Sequence, residues 1–465
     1  MMWMAAAIWQ GCTSSAVDTQ VIEDTAATIS DREVWDDPVL GLQGVTTALH
    51  DEIGSIVYVT WDQPSDLSDV VVEYQVDDGE WRSTPAQSLG AGPAAFMLLG
   101  IPFDHTFSYR IREGEQVTDV HMSTTGPHPI DLPQPLLLTA DEAQWHADGR
   151  FLILSINAKP GGWTAGDYWK IIIDRQGRIV WASLTPNQRW TIFARISQDG
   201  DDILWDEASF WSDWDSGKQS VVQRSKIDGS IVETISTPGL HHAFVELADG
   251  TLAWGAASSV SEQLVKEDGN GSADVIWDCD RFHAETKTKT NCQSNTLYWH
   301  EATDTFLMSF YTTSTVVHID HQSGETLHYW GQLDGPWTFS PTDALFDWQH
   351  GAHFTDMGTL LLSTHTITGE LETVVSEYSL DEDSQTLNQI WSFGEGEGLH
   401  AFTAGEAHRL PNGNTLHNYG SMGRLREVTE DGTIVWDLAW EASDRDRGHL
   451  IGRSIFTDSL YHFAP

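Results

Sequence analysis

Six hairpin turns, each followed by an apolar run, recur at intervals of 50 to 55 residues: Gly149 in DGRFLIL, Gly200 in DGDDILW, Gly250 in DGTLAWG, Asp304 in TDTFLMSF, Gly358 in MGTLLLS and Gly413 in NGNTLHN. A second series of acidic turns trails the first, and its strand often ends in tryptophan: DRQGRIVW to Trp181, KIDGSIVE, NGSADVIW to Trp277, HQSGETLHYW to Trp330, DEDSQTLNQIW to Trp391 and EDGTIVW to Trp436. Two hairpins per unit make four strands, which is the content of one propeller blade. Such a unit cannot bury both faces alone and must stack on its copies. The expected fold class is all-β: a six-bladed β-propeller over residues 136–465, with a solenoid, which needs no closure, as the alternative. The tryptophans are expected to pack between blades rather than to serve as platforms for an aromatic substrate.

Residues 38–126 read as a fibronectin type III-like β-sandwich. SIVYVTWD puts Val57, Val59 and Trp61 on one face, FSYRIRE puts Phe107 and Tyr109 on one face, and Leu99, Pro102 and Tyr109 suggest a tyrosine corner. Residues 127–135, PHPIDLPQP, carry four prolines and read as a linker. Residues 1–37 read as a signal or lipoprotein-like segment and a flexible tether, in which Gly11 precedes a Cys12 that lipid would acylate; an ordinary cytosolic start is the alternative. The expected location is therefore outside the cytoplasm, in the periplasm or at the cell surface, with membrane contact only through a lipid on Cys12. Cys279 and Cys292 are expected to bridge a polar loop, against the alternative of two unrelated buried thiols.

Charge narrows the partners. With 69 acidic against 24 basic residues the formal charge is −45, which repels a phosphate backbone, so nucleic acid is not expected. No Cys or His spacing matches a zinc site, no metal or other cofactor is expected, and no stretch has sustained helical periodicity.

In a propeller, equivalent positions on the innermost strands converge at one end of a central channel. Counting back eight residues from the hairpin turn reaches His242 in LHHAFVELADG and His350 in DWQHGAHFTDMG. The longer turn of the fourth unit brings Gln293, Ser294 and Asn295 to the same level, and the same count gives Asp141 and Ile192 in the first two units. Two imidazoles and two carboxamides would then face one funnel, a set that can grip an anion or pass a group between acceptors. His353, His365, His408, His283, His300 and His318 fall off this register and are expected in packing, loop or outer-strand positions.

The stretches LHHAFVELADGT, NCQSNTLYWHEATDTFLMSFYTTSTVVHIDHQSGETLHYWG, DWQHGAHFTDMGTLLLS and EAHRLPNGNTLHNYGSMGRLREVTEDGTIVWDL resemble consecutive blades of the bacterial arylsulfotransferase (aryl-sulfate sulfotransferase) family. The resemblance implies a periplasmic propeller with an amino-terminal β-sandwich. It would move a sulfuryl group from a phenolic sulfate ester to a phenol by ping-pong transfer through a histidine, without a nucleotide donor. It places the sulfurylated histidine on His350, preceded by Gln349, and the family's paired histidines on His241 and His242, and it keeps an asparagine at Asn295. Where the family has a further histidine this chain has Gln293, and where it has an arginine this chain has Tyr311. On this reading His350 and His242 are catalytic, and His241, Gln293, Asn295, Tyr311 and Gln349 bind substrate. Gln293 and Tyr311 also support the other reading, a catalytically lapsed propeller that binds a ligand or protein partner at the cell surface.

Overall fold

The computed structural model describes residues 33–161, 167–186, 189–208, 220–257, 261–269, 272–287, 291–310, 312–444 and 447–465. The expectations for Cys12 and Tyr311 lie outside the described residues. The fold is all-β, and its one α-helix among the described residues is Cys279–Thr286.

Two sheets form the amino-terminal unit. One orders the strands Trp35–Asp37, Leu42–Leu49, Val57–Gln63 and Gly92–Leu98; the other is built on Leu67–Val76 and Thr106–Glu113. Strict alternation along Val57–Gln63 buries Val57, Val59 and Trp61, with Trp61 stacked on Phe96 at 5.3 Å between ring centroids. Truncating Trp61 to alanine would cost about 3–5 kcal/mol on the usual scale for a buried aromatic. Because Trp35–Asp37 already pairs with Leu42–Leu49, the tether expected to reach residue 37 ends before Trp35. The tyrosine corner also differs from expectation. Tyr74 donates its hydroxyl to the Leu99 carbonyl at 2.7 Å, whereas the Tyr109 hydroxyl accepts from Trp35 Nε1 at 3.1 Å.

Six further sheets of four or five strands follow in chain order. Each has one edge strand that we label by position: β1 (Ala194–Ile196), β2 (Leu240–Glu246), β3 (Ser294–His300), β4 (His350–Phe354), β5 (Glu406–Arg409) and β6 (Ile455–Thr457). Contacts join β2 to β3, β3 to β4, β4 to β5 and β6 to β1, so these edges converge. Four of the five predicted hairpin glycines, Gly200, Gly250, Gly358 and Gly413, have φ between 75° and 88°, and Asp304 has φ 52°. A left-handed residue is what a tight two-strand turn requires there.

Four of the tryptophans that end the second hairpins tie one sheet to another. Trp181 Nε1 donates to the Ile227 carbonyl, Trp277 Nε1 to Thr326 Oγ1 and Trp391 Nε1 to the Glu430 carbonyl. Trp436, in the last sheet, donates to the Arg175 carbonyl in the first at 2.8 Å.

The first sheet departs from the expected register. Leu136–Ala140 pairs with Ile434–Ala439 on the outer side of the last sheet, and β6 from the carboxy terminus pairs with Phe151–Asn157 as the edge of the first. Asp141 is therefore not on a converging edge, and the position expected for it is filled by the chain's end. Both ends of the repeat region are thus paired with strands distant in sequence, which removes the two free edges an open array would leave.

The segment read as a polar loop between Cys279 and Cys292 instead begins as a helix. Asp278 caps it by accepting from Arg281 N at 2.8 Å, Arg281 pairs with Glu285 four residues on, and Cys279 and Phe282 form its buried face. Cys279 and Cys292 are disulfide-bonded with their Cα atoms 6.0 Å apart. A closed loop of this length stabilises by about 3 kcal/mol through the entropy of the unfolded chain. Replacing both cysteines by serine should lower the melting temperature by several degrees, and adding reductant should reproduce the shift in the wild type but not in the double variant. Equal melting curves for all four samples would contradict this.

Candidate active site

Three of the converging strands break register where the candidate residues sit. The pairing of β2 shifts between Leu240 and Phe244, that of β3 between Ser294 and Thr296, and that of β4 between His350 and His353. A bulge re-aims side chains out of strict alternation, so His241 and His242, Asn295, and His350 are turned by the same local device. Gly351 makes the third bulge possible: its φ is +67°, and a Cβ there would lie 2.7 Å from the Cβ of Glu406.

These strands line a small open cavity, with His242, Asn295, His350, Asn418 and Arg453 among its polar residues and Ile192, Phe193, Leu450 and Ile451 among its apolar ones. His350 Nδ1 lies 3.0 Å from the Trp348 carbonyl. A carbonyl only accepts, so Nδ1 carries the proton and Nε2 the lone pair, which in this structure accepts from Ala404 N at 3.2 Å. Burial, with Arg453 and then His365 adding to it, pushes the His350 pKa down to about 3, so the ring is neutral at pH 7.

His242 is also held well below the ordinary histidine range, by burial first and then by His241, His350 and Arg453. Behind it runs a relay. His242 Nδ1 is 2.5 Å from His241 Nδ1, His241 Nε2 is 2.8 Å from Glu262 Oε1, and Ser294 Oγ donates to the same carboxylate oxygen. A carboxylate only accepts, so His241 Nε2 donates to Glu262; with its Nδ1 accepting from His242 Nδ1, His242 Nε2 is left as the acceptor nitrogen.

Arg453 was not found by reading the repeat. It is 7% exposed, and its guanidinium donates to the carbonyls of Gly405 (2.5 Å) and Asn295 (3.3 Å) and to Thr296 Oγ1 (2.9 Å), with Glu406 Oε2 at 3.4 Å. Burial alone would raise the Glu406 pKa, but His408 and Arg453 hold it below the carboxylate range, so the pair is ionised. The signal for Arg453 was a lone basic residue in HLIGRSIF, after the last repeat of a strongly acidic chain.

Of the other expected residues, Gln349, Gln293 and His241 stand outside the cavity lining. Asn295 lines it while donating Nδ2 to the Gln349 carbonyl at 2.8 Å. The Gln349 carboxamide points the other way and donates to Ser309 Oγ and the Phe310 and Thr315 carbonyls, so it pins the neighbouring hairpin. Gln293 precedes β3, its backbone N bonded to Asn291 Oδ1. His241 acts behind His242. Among the histidines expected off the register, His300, His353 and His408 lie on converging strands, while His365 donates Nε2 to the Ala401 carbonyl at 2.9 Å.

A family model described as Arylsulfotransferase (ASST) matches residues 257–441, a span that holds Asn295, His350 and Glu406 but neither His242 nor Arg453. No curated protein matches the chain. Similar solved structures include a protein of unknown function from Bacteroides caccae, at 16% identity and a TM-score of 0.41, covering 62% of this chain and 94% of that one. Virginiamycin B lyase from Staphylococcus aureus is 10% identical at a TM-score of 0.33 and covers 69% and 99%. A putative 6-phosphogluconolactonase from Bacteroides fragilis is 11% identical at 0.39 and covers 83% and 98%.

Proposed function

We propose, for a chain that belongs to the arylsulfotransferase family over residues 257–441, that it moves a sulfuryl group from a phenolic sulfate ester to a phenol through His350. The observation that carries this reading is a neutral imidazole with a fixed tautomer sharing one cavity with an ionised arginine. The Nε2 lone pair of His350 attacks sulfur, the bond from sulfur to the aryl oxygen breaks, and the phenolate leaves to take a proton from water. The new N–S bond puts positive charge on the ring, and the Nδ1–H bond to the Trp348 carbonyl stabilises that charge. In the second half, the acceptor hydroxyl gives its proton to His242 Nε2, its oxygen attacks sulfur, and the N–S bond breaks to return the lone pair to His350. The Glu262–His241 pair offsets the charge gained by His242. The aryl ring has an apolar wall in Ile192, Phe193 and Leu450.

Arg453 takes the part of the cation expected, and missing, at Tyr311. It is placed by the carboxy-terminal segment instead of by a repeat. We take the six sheets as the blades of a six-bladed β-propeller and the amino-terminal pair as a fibronectin type III-like module. We take the protein as exported; the disulfide supports that location.

Turnover of a chromogenic phenyl sulfate with a phenol acceptor tests the reaction. Arg453→Gln should lower kcat/KM by about 10²–10³-fold, the usual loss for one donor to a developing charge, and Arg453→Lys should recover part of it. Wild-type rates in Arg453→Gln would remove the arginine from the mechanism. No turnover of any phenolic sulfate by the wild type would leave the ligand-binding propeller as the reading.

A further inference from the structure

The same convergence of strands builds a second polar cluster, outside the cavity lining. Arg195 projects from β1, Tyr298 from β3, His353 from β4 and His408 from β5. The Tyr298 and His353 rings are 5.4 Å apart between centroids and those of His353 and His408 5.3 Å. His353 donates Nδ1 to the Gly351 carbonyl at 2.9 Å, which fixes Nε2 as its acceptor nitrogen.

Charge in this cluster does not balance. Glu406 is its carboxylate, and that group is engaged by Arg453, by Ser454 and by His408 Nε2 at 2.9 Å. Arg195 makes no hydrogen bond and no ion pair among the described residues, and its Nε is enclosed without a partner. Its nearest ring is Phe193, with the guanidinium carbon 5.8 Å from the centroid. Arg195 also opposes the charge on Arg453, so two guanidiniums share one buried carboxylate. A chain with 69 acidic and 24 basic residues thus holds a half-buried cation with no acceptor of its own among the described residues. A guanidinium whose Nε is closed off from water without an acceptor is short of a hydrogen bond that an arriving anion can supply.

We propose that Arg195, with Tyr298 near it, binds a small tetrahedral oxyanion in the channel, at a site separate from the one that holds His350. Sulfate and phosphate share the chemistry: oxygen atoms at bidentate spacing for a guanidinium, and room for a phenol or imidazole donor on a third oxygen. The inference is independent of the sulfuryl-transfer reading, because it rests on an unsatisfied cation and not on a nucleophile.

Calorimetric titration of the full chain with inorganic sulfate, and separately with inorganic phosphate, tests the proposal. The wild type should bind at least one of the two anions, and which one separates the sources. Arg195→Gln should weaken that binding tenfold or more and Tyr298→Phe by about two- to fivefold, while His350→Ala retains it. Without anion, Arg195→Gln should melt no lower than the wild type, since it removes a cation that pairs with nothing; with anion, only the wild type should gain melting temperature. Undiminished binding in Arg195→Gln, or no binding of either anion by the wild type, overturns the proposal. Loss of binding in His350→Ala with retention in Arg195→Gln would move the anion to the first cavity and also overturn it, leaving sulfuryl transfer intact. Arg195-dependent binding in a protein that turns over no aryl sulfate would do the reverse.

Discussion

His350→Ala should abolish sulfuryl transfer, by about 10⁴-fold or more, while the protein stays folded. Among the described residues, the side chain supplies the only imidazole nitrogen in the cavity whose tautomer is set by a backbone carbonyl and whose lone pair is therefore directed away from it. Its depressed pKa keeps it unprotonated, so no proton has to leave before it attacks. Losing a covalent nucleophile removes both half-reactions at once, and losses of this size are usual for such groups. Wild-type protein quenched with donor but no acceptor should gain the mass of one SO₃ group on the peptide that holds His350, and the alanine variant should gain none. Melting curves of the two proteins exclude unfolding as the cause. Retention of most of the rate by His350→Ala, or sulfur found on another peptide, would displace the nucleophile. His242→Ala should be milder, about 10²-fold, because it removes charge stabilisation and leaves the attacking atom.

Acid should unfold this protein steeply. Burial pushes His350, His353 and His417 down to about 3 and His318 and His365 down to about 4, from an ordinary value of 6.5. The folded state keeps these rings neutral, whereas the unfolded chain protonates them near pH 6.5. Their contribution is therefore present above pH 6.5 and is lost as pH falls toward 4. Each histidine takes up to about 1.4 kcal/mol per pH unit in that window. Asp206 acts in the opposite sense: burial pushes it up to about 7, so the folded state holds its proton where the unfolded chain does not, and it offsets one of the five. Denaturant midpoints measured at pH 7, 5.5 and 4.5 should fall at each step. His417→Asn, which removes a ring that meets Ser363 Oγ at 3.2 Å, should flatten the slope. A midpoint unchanged down to pH 4.5 would mean that the rings are already charged or reached by water.

Much of this architecture is legible along the chain because its determinants are local. A glycine or aspartate that tolerates positive φ, an apolar run of alternating residues and a closing tryptophan lie within a few residues of one another, and six copies make the pattern plain. The same register brought His242, Asn295 and His350 to one cavity, since equivalent offsets in successive sheets occupy equivalent depths. It failed for the residues that precede the strands. Gln293 precedes β3 and Gln349 precedes β4, where the Gln349 carboxamide meets Ser309, and a repeat register sets no side-chain direction ahead of the strand.

By itself, then, the sequence determined an all-β chain of repeated two-hairpin units, the disulfide pair and three of the side chains that meet in the cavity. Tertiary structure alone decided how the first and last sheets are completed, and with that which cation enters the cavity. Leu136–Ala140 and the carboxy-terminal β6 find partners about 300 residues away, and pairing over such a distance depends on the edges left open by every sheet between. Arg453 reaches Asn295, Gly405 and Glu406 only because that closure carries it there. Its neighbours in sequence hold no trace of the partners, since the attraction between a buried guanidinium and a buried carboxylate acts across space, between residues that the chain itself keeps far apart.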